Sequence, residues 1–173
     1  MRIAILGAHL VGKTTLAEKL QESFPNYELY PEPYFEMQEM GFVFSEIPTS
    51  DDYMAQLDYS LKQILRSNKN AIFDRCLIDL LAYALAVDDS VNFQSVFNKI
   101  QDAINKIDVF VLVPIEDRDR ISCPNSQLPE LRNEVNNMIV ELINDFDLEV
   151  IQVKGNVSDR LNQIQKRILR LEF

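Results

Sequence analysis

The residues best suited to chemistry lie near the start of the chain, in the stretch GAHLVGKTT at positions 7–15. Gly7 and Gly12 are separated by four residues, and Lys13 and Thr14 follow directly. Glycine is needed where a tight turn of backbone N–H groups wraps a phosphate chain. A lysine ammonium can then reach the β- and γ-phosphates, and a threonine hydroxyl can hold Mg²⁺. The pattern therefore predicts a loop that binds ATP, or another nucleoside triphosphate, together with Mg²⁺.

The residues around this loop favour the same interpretation over an ordinary strand–turn–helix connection. An apolar run from Ile3 to Leu6 precedes the loop and a helical pattern follows it, as phosphate-binding loops require. His9 is the only histidine of the chain, and because the motif gives it no fixed partner we expect a turn residue. The loop residues expected at the triphosphate are Gly7, Ala8, His9, Leu10, Val11, Gly12, Lys13, Thr14 and Thr15.

Two carboxylates and an arginine follow other apolar runs. Asp74 ends the run AIFD, where a carboxylate can accept from Mg²⁺-bound water or from Thr14; it can also cap the next helix. Thr14 and Asp74 are therefore the expected metal-side residues. Arg75 can clamp an acceptor or a transferring phosphoryl group. Glu32, between two prolines, is interpreted either as a general base for an acceptor hydroxyl or as a solvated turn acid.

A polar segment, IEDRDRISCPNSQLPE at positions 115–130, offers two further cations. As a short lid, it would bring Arg118 or Arg120 over the γ-phosphate and neutralise charge during transfer. Acids stand beside both arginines, so a solvated, salt-bridged turn is the alternative interpretation.

The elements that must position these residues alternate along the chain between short apolar runs and helical patterns. We expect strands at Arg2–Leu6, Tyr27–Tyr30, Ala71–Phe73, Asp108–Val113 and Glu149–Val153. We expect helices at Thr15–Ser23, Asp51–Asn68, Leu77–Val87, Asn92–Lys106, Glu130–Asp145 and Ser158–Leu171, with N-caps at Thr49 or Ser50 and at Ser158. This alternation predicts an α/β fold, a three-layer P-loop sandwich around a parallel five-stranded sheet. Ligands of such sheets bind at the carboxyl ends of the strands.

Composition narrows the class of function. The length of 173 residues favours one domain, 1–173, with the lid at about 115–130. A net charge of −10 argues against a nucleic acid polymer as partner. With two cysteines and one histidine, structural zinc is not expected, and a reducing compartment fits. The sequence shows neither a signal peptide nor an apolar run of membrane-spanning length, so we expect a cytoplasmic protein without membrane contact.

Four stretches together resemble a known family: GAHLVGKTT, PEPY, FDRCLIDLLAYAL and VKGNVSDRLNQI. They look like the small P-loop kinase-like ATPases of AAA type that are related to nicotinamide riboside kinase domains. That group is similar in layout to deoxynucleoside and thymidylate kinases. The resemblance spans nearly the whole chain, and only its short, acid-rich lid departs from the family pattern.

The resemblance implies roles for particular residues. Glu32 would be the base or an acceptor-site residue, and Asp74 would lie on the magnesium side. Arg75 would bind the acceptor or a phosphate, and the two lid arginines would meet the transferring group. Gly155, after the last strand, would lie near the adenine. The implied activity is a phosphotransferase that uses ATP and Mg²⁺ and acts on a small nucleoside or nucleotide-like acceptor.

The sequence also allows functions other than a kinase. Aromatic and apolar residues after Glu32 would floor an acceptor pocket or pack in the core; they are Tyr34, Phe35, Met37, Met40, Phe42 and Phe44. A regulatory ATP-binding module, or an ATPase acting on a protein partner, is the main alternative to a kinase, and the sequence also allows a homodimer. NKID at 105–108 matches a guanine-reading motif by letters, but it precedes a predicted strand instead of following one, so we interpret it as coincidence.

Overall fold

The structure, a computed structural model, describes residues 1–171; positions 172–173 of the predicted domain 1–173 lie outside the described residues. The strands are β1 (Arg2–Leu6), β2 (Glu28–Tyr30), β3 (Ala71–Asp74), β4 (Val109–Leu112) and β5 (Val150–Gln152). The α-helices are α1 (Lys13–Ser23), α2 (Pro33–Glu39), α3 (Ser50–Arg66), α4 (Leu77–Val87), α5 (Gln94–Ile104), α6 (Pro129–Asp145) and α7 (Val157–Leu171). A short 3-10 helix, Asn125–Gln127, precedes α6.

The five strands form one parallel sheet in the order β2-β3-β1-β4-β5. In the register of the sheet, Ile5 of β1 lies between Asp74 of β3 and Val111 of β4. The loop after β1 therefore emerges at the centre of the carboxyl edge, beside the end of β3. This order brings the predicted phosphate loop and the predicted Asp74–Arg75 pair to the same place.

Alternate residues of the central strands build two cores, one on each face of the sheet. Ala4 and Leu6 of β1 pack with buried residues of α3, α4, α5 and α6. Ile3 and Ile5 face the opposite side and pack with α1 and α7. Strands buried on both faces are typical of parallel sheets covered by helices. The three layers confirm the predicted fold class.

Capping side chains explain where two helices begin. The Thr49 hydroxyl accepts from the Asp52 backbone N–H at 3.3 Å, and the Asp52 carboxylate accepts from the Thr49 N–H at 2.9 Å. This reciprocal pair is a capping box, and it confirms Thr49 as the N-cap of α3. The predicted cap Ser158 is wrong, because α7 already begins at Val157 and the Asn156 side chain accepts from the Asp159 N–H at 3.0 Å.

Two short elements were not predicted: α2 and the 3-10 helix. Pro33 is at the first position of α2, where its fixed φ suits a helix and its missing N–H costs nothing. The NKID letters at 105–108 fall between α5 and β4, ahead of the strand. Within residues 1–171, no helix combines the length and the apolar character needed to cross a membrane.

Candidate active site

The phosphate loop joins β1 to α1, and its glycines occupy positions that a larger residue would disturb. A Cβ on Gly7 would lie 2.4 Å from the Val113 carbonyl oxygen, which is too close for any side chain. Gly12 has a left-handed backbone with φ of 88° just before the first turn of α1. Glycine adopts this conformation without steric cost. The geometry of the loop thus explains both glycines of the motif.

Lys13 is folded over this loop and is 5% exposed. Its ammonium donates to the Ala8 carbonyl oxygen at 2.6 Å. Burial, followed by the positive charge of Arg75, lowers the pKa of Lys13 to about 8. A triphosphate in the loop would favour the charged form, because an opposite charge within a few ångströms raises the pKa of a lysine.

Asp74 ends β3 next to the start of α1, where its carboxylate hydrogen-bonds with the Thr14 side chain. Burial raises the pKa of Asp74, and its Oδ1 atom is buried without a hydrogen-bond partner among the described residues. A hard cation beside Thr14 would supply that partner, so the two residues fit a magnesium site. The alternative role as helix cap is wrong, since Cys76 occupies the N-cap position of α4.

Asp79 is a site residue that the sequence reasoning missed. Its Oδ1 atom accepts from the Gly7 N–H at 2.9 Å, and its Oδ2 atom accepts from the Cys76 N–H at 3.2 Å. The side chain is fully buried, and burial raises its pKa to about 6. Its carboxylate therefore holds the first residue of the phosphate loop onto α4. An acid inside the otherwise apolar run LIDLLAYAL was the available signal.

The structure pairs two predicted residues, Glu32 and Arg75, from the ends of β2 and β3. Their side chains form a salt bridge of 2.8 Å, and Arg75 is 7% exposed. The guanidinium also lies 4.9 Å from the centre of the Tyr83 ring. Burial acts to lower the pKa of Arg75, but the Glu32 carboxylate outweighs it and raises the pKa. Arg75 Nε is buried and has no hydrogen-bond partner among residues 1–171.

A cavity of about 300 Å³ opens beside this pair. His9 of the phosphate loop, Glu32 and Arg75 line one part of it. Aromatic side chains and the Gln56 amide line much of the rest; the aromatic ones are Tyr34, Phe44, Tyr53 and Tyr83. Of the predicted floor residues only Tyr34 and Phe44 line the cavity; Met37 is buried, and the largely exposed ones are Phe35, Met40 and Phe42.

His9 contacts two other parts of the chain. Its Nδ1 atom lies 2.7 Å from the Tyr83 hydroxyl, and its Nε2 atom lies 2.6 Å from the Gln127 carbonyl oxygen. Burial lowers its pKa, which favours the neutral ring. His9 thus links the phosphate loop to α4 and to the segment before α6. These partners are 74 and 118 residues away, beyond the reach of any local sequence pattern.

The two predicted lid arginines differ in their surroundings. Arg118 is exposed and has no hydrogen-bond or ion-pair partner within the described part of the chain. Arg120 is half exposed and pairs with Glu116 at 3.2 Å. Arg120 also lines a small pocket with Leu10 and Val11, so it lies beside the loop.

Two other arginines bind the loop instead. The guanidinium of Arg132 donates to the carbonyl oxygens of His9 and Leu10 at 2.9 and 3.0 Å, and to both carboxylate oxygens of Asp119 at 2.5 and 3.0 Å. Arg160 donates to the Val11 carbonyl oxygen at 2.6 Å. Both are buried, 3% and 7% exposed. Each lies on the apolar face of its helix: Arg132 is three residues before the core residue Val135, and Arg160 is four residues before Ile164. An arginine on an apolar helix face was the signal in the sequence that pointed to these two residues.

Gly155 follows β5 at the carboxyl edge of the sheet, as predicted. It has φ of 98°, and its N–H donates to the Glu116 carboxylate at 3.1 Å. Together with Glu116, Lys154 and Asp159 it lines an open groove. The groove is next to Arg160 and therefore near the phosphate loop.

A family model described as an AAA domain matches residues 2–160. The chain belongs to this AAA domain family. Among solved structures, it is similar to deoxyadenosine kinase from M. mycoides, with 21% identity, a TM-score of 0.68 and coverage of 99% of this chain and 100% of that one. It is also similar to thymidylate kinase from Candida albicans, with 16% identity, a TM-score of 0.65 and coverage of 99% and 92%.

A third similar structure is the NadR protein in complex with NR, with 16% identity and a TM-score of 0.70. The match covers 95% of this chain and 48% of NadR, so the chain corresponds to about half of that protein. Among curated proteins, none matches the sequence. The family model and these structures confirm the predicted family, and the chain has the fold of P-loop nucleoside and nucleotide kinases.

Proposed function

We propose that this protein binds ATP with Mg²⁺ and transfers the γ-phosphoryl group to a small nucleoside or nucleotide-like acceptor. The observation that carries the proposal is the position of the cavity. One wall is His9, which belongs to the phosphate loop, and the neighbouring wall is the Glu32–Arg75 pair. A molecule in this cavity would lie beside the end of a triphosphate held by the loop, as transfer between the two requires.

The loop residues 7–15 would bind the phosphates through backbone N–H groups and the Lys13 ammonium. Thr14 and Asp74 would hold the metal ion, which supplies charge neutralisation on the β- and γ-phosphates. Gly155 would lie near the adenine, in the groove that follows β5. The segment at about 115–130 would act as a lid that closes over the bound triphosphate and brings Arg118 or Arg120 to the γ-phosphate.

Glu32 is the base in this proposal. The acceptor hydroxyl oxygen forms a bond to the γ-phosphorus, the bond from that phosphorus to the β,γ-bridging oxygen breaks, and ADP leaves. The hydroxyl proton passes to the Glu32 carboxylate. Arg75, within salt-bridge distance of Glu32, would orient the acceptor or stabilise charge on the transferring group.

The similar structures support this proposal, because their names describe kinases of nucleosides and nucleotides or a complex with NR. The test is transfer from γ-labelled ATP to a panel of nucleosides, nucleotides and pyridinium ribosides. Glu32→Gln should lower transfer by roughly a hundredfold while ATP affinity stays within about threefold, because it removes a proton acceptor outside the phosphate loop. The matched control is Glu39→Gln, at the exposed end of α2. Unchanged transfer in Glu32→Gln would remove Glu32 as the base.

One observation favours the alternative of an ATPase acting on a protein partner. Large apolar side chains are exposed in and after α2; they are Phe35, Met40, Val43 and Ile47. Exposed apolar groups that cluster in one segment mark interaction sites in many proteins. ATP turnover that no member of the acceptor panel increases, but that a protein partner does, would support this alternative over the kinase.

A further inference from the structure

The charges around the acceptor cavity indicate which class of acceptor it takes. This inference deepens the proposed function and rests on it. Among the described residues that line the cavity, the acidic side chains are Glu32, Glu46 and Asp52, and Arg75 is the cationic one. His9 also lines it, but burial lowers its pKa and favours the neutral ring. The lining therefore has more negative than positive charge.

The positive charge of Arg75 is already matched. Its guanidinium forms the 2.8 Å salt bridge with Glu32, and both side chains are largely buried. A phosphate monoester of about −2 charge that bound Arg75 would either displace Glu32 or lie beside its carboxylate, and both outcomes cost free energy. Proteins that recognise phosphates usually offer cations that are free to form paired hydrogen bonds.

The carboxylates of Asp52 and Glu46, by contrast, have no cationic partner among the described residues. The Asp52 carboxylate accepts from the backbone N–H groups of Ser45 and Thr49 at 3.3 and 2.9 Å, which keeps it ionised without a cation. Burial acts to raise the pKa of Asp52, but the hydrogen bonds from Thr49 and Ser45 outweigh it and lower the pKa. Glu46 is exposed at the rim and has no ion-pair partner within residues 1–171. Both would repel an anionic acceptor.

The proposed role of Glu32 as a base also favours an unphosphorylated acceptor. A hydroxyl acceptor has a proton to give up, so a carboxylate next to it can act as a base. A phosphate oxygen at neutral pH is already anionic, gains nothing from a base and would be repelled by it. Glu32 follows β2 and Asp74 ends the neighbouring strand β3, so two carboxylates lie at the same edge of the sheet as the expected point of transfer.

We infer that the acceptor is an unphosphorylated nucleoside, with an uncharged or positively charged base, and that nucleoside monophosphates are rejected. A cavity of about 300 Å³ with four aromatic rings in its lining suits a planar base joined to a sugar. The acceptor hydroxyl would then be directed to Glu32. Thymidylate kinase and deoxyadenosine kinase are both similar in fold, so the fold alone does not make this distinction.

The test uses matched pairs, each nucleoside against its own 5′-monophosphate, with the wild-type protein and ATP·Mg²⁺. It includes a pyridinium riboside, whose base is positively charged. In the pair that is phosphorylated, we expect kcat/KM for the nucleoside to be at least about tenfold higher than kcat/KM for its monophosphate. The ratio of these two values should fall as the salt concentration is raised, because salt screens the charge at the rim. A monophosphate that is used as well as, or better than, its nucleoside would overturn the inference and leave the proposed kinase activity standing.

A charge reversal at the rim sharpens the test. Glu46→Lys should lower the ratio of nucleoside to monophosphate by at least about fivefold, and Glu46→Gln should lower it less. The matched control is Glu141→Lys, an exposed position of α6 outside the cavity lining with the same change in net charge. A ratio that Glu46→Lys leaves unchanged would overturn the electrostatic basis of the inference.

Equilibrium binding separates this inference from the proposed function. Calorimetric titration of the same pairs requires no turnover, so it measures the preference even if no acceptor is phosphorylated. Tighter binding of the nucleoside together with no transfer would refute the kinase but still support the preference of the cavity for the unphosphorylated ligand. Equal or tighter binding of the monophosphate would refute the inference in either case.

Discussion

The phosphate loop and the polar segment at 115–130 lie on the same edge of the sheet, but they are held in different ways. The loop is fixed by its own backbone: Gly7 contacts Val113 too closely for a side chain, and Asp79 and Arg160 bind its main chain. The polar segment is mostly exposed, but Glu116 and Asp119 attach it to the two buried arginines that bind the loop, Arg160 and Arg132. The loop is therefore shaped by its own backbone, whereas the polar segment is attached at Glu116 and Asp119 and is exposed over most of its length.

The phosphate loop is the more rigid of the two regions of the candidate active site. Preorganised backbone donors need no rearrangement when a phosphate binds, so they give affinity directly. The Arg120 side chain is half exposed, so its pair with Glu116 contributes little to stability and is easy to exchange for a ligand. Arg132 connects the two regions, since it binds both the loop carbonyls and Asp119 of the polar segment.

The largest expected effect lies in the loop. Lys13→Ala should weaken ATP·Mg²⁺ binding by at least roughly a hundredfold, because it removes a charge-assisted contact from a buried site. The fold should be retained, because removing a buried ammonium also removes its desolvation cost, which offsets part of the lost packing. Calorimetry measures the affinity, and circular dichroism checks the fold. Lys19→Ala, on the exposed side of α1, is the matched control. Undiminished ATP turnover by Lys13→Ala would contradict the assignment of the loop.

A smaller effect is expected where the two regions meet. Arg132→Ala should lower the free energy of unfolding by about 2 kcal/mol, because it leaves Asp119 and two loop carbonyls without their donor. Urea denaturation measures this change.

Arg118→Ala and Arg120→Ala should leave stability within about 0.5 kcal/mol but slow the chemical step, as a lid residue would. If neither slows it, the lid proposal fails, and the polar segment serves only to anchor Arg132.

The smallest expected effect is a dependence on pH. With no ligand, burial and Arg75 lower the pKa of Lys13 to about 8, and a bound triphosphate raises it again. The complex then holds more protons than the free protein above pH 8, so affinity falls as pH rises. Between pH 7.5 and 9.5 the Kd for ATP·Mg²⁺ should increase roughly tenfold, with proton uptake on binding near pH 9. Titrations in two buffers of different ionisation enthalpy measure the uptake. An affinity that stays constant over this range would show that Lys13 remains charged without ligand.

The sequence was sufficient for features that depend on local backbone geometry. The glycines of the phosphate loop, the strands buried on both faces and the cap at Thr49 each follow from residues close together in the chain. The position of Glu32 and Arg75 at one edge of the sheet could be predicted, because each comes within two residues of the end of a strand. Asp79, Arg132 and the contacts of His9 were not, because each joins segments more than 70 residues apart. A local pattern shows that such a side chain lies on an apolar face, but only the sheet order shows what it meets there.

His9 belongs to the phosphate loop and also to the wall of the neighbouring cavity. The two ligands of the proposed reaction would therefore both contact this one residue. A single compound, an adenosine tethered to a nucleoside by a short polyphosphate, could occupy both compartments at once. Such a bisubstrate probe would be a selective inhibitor, and the tether length that binds best would measure the gap between donor and acceptor in solution.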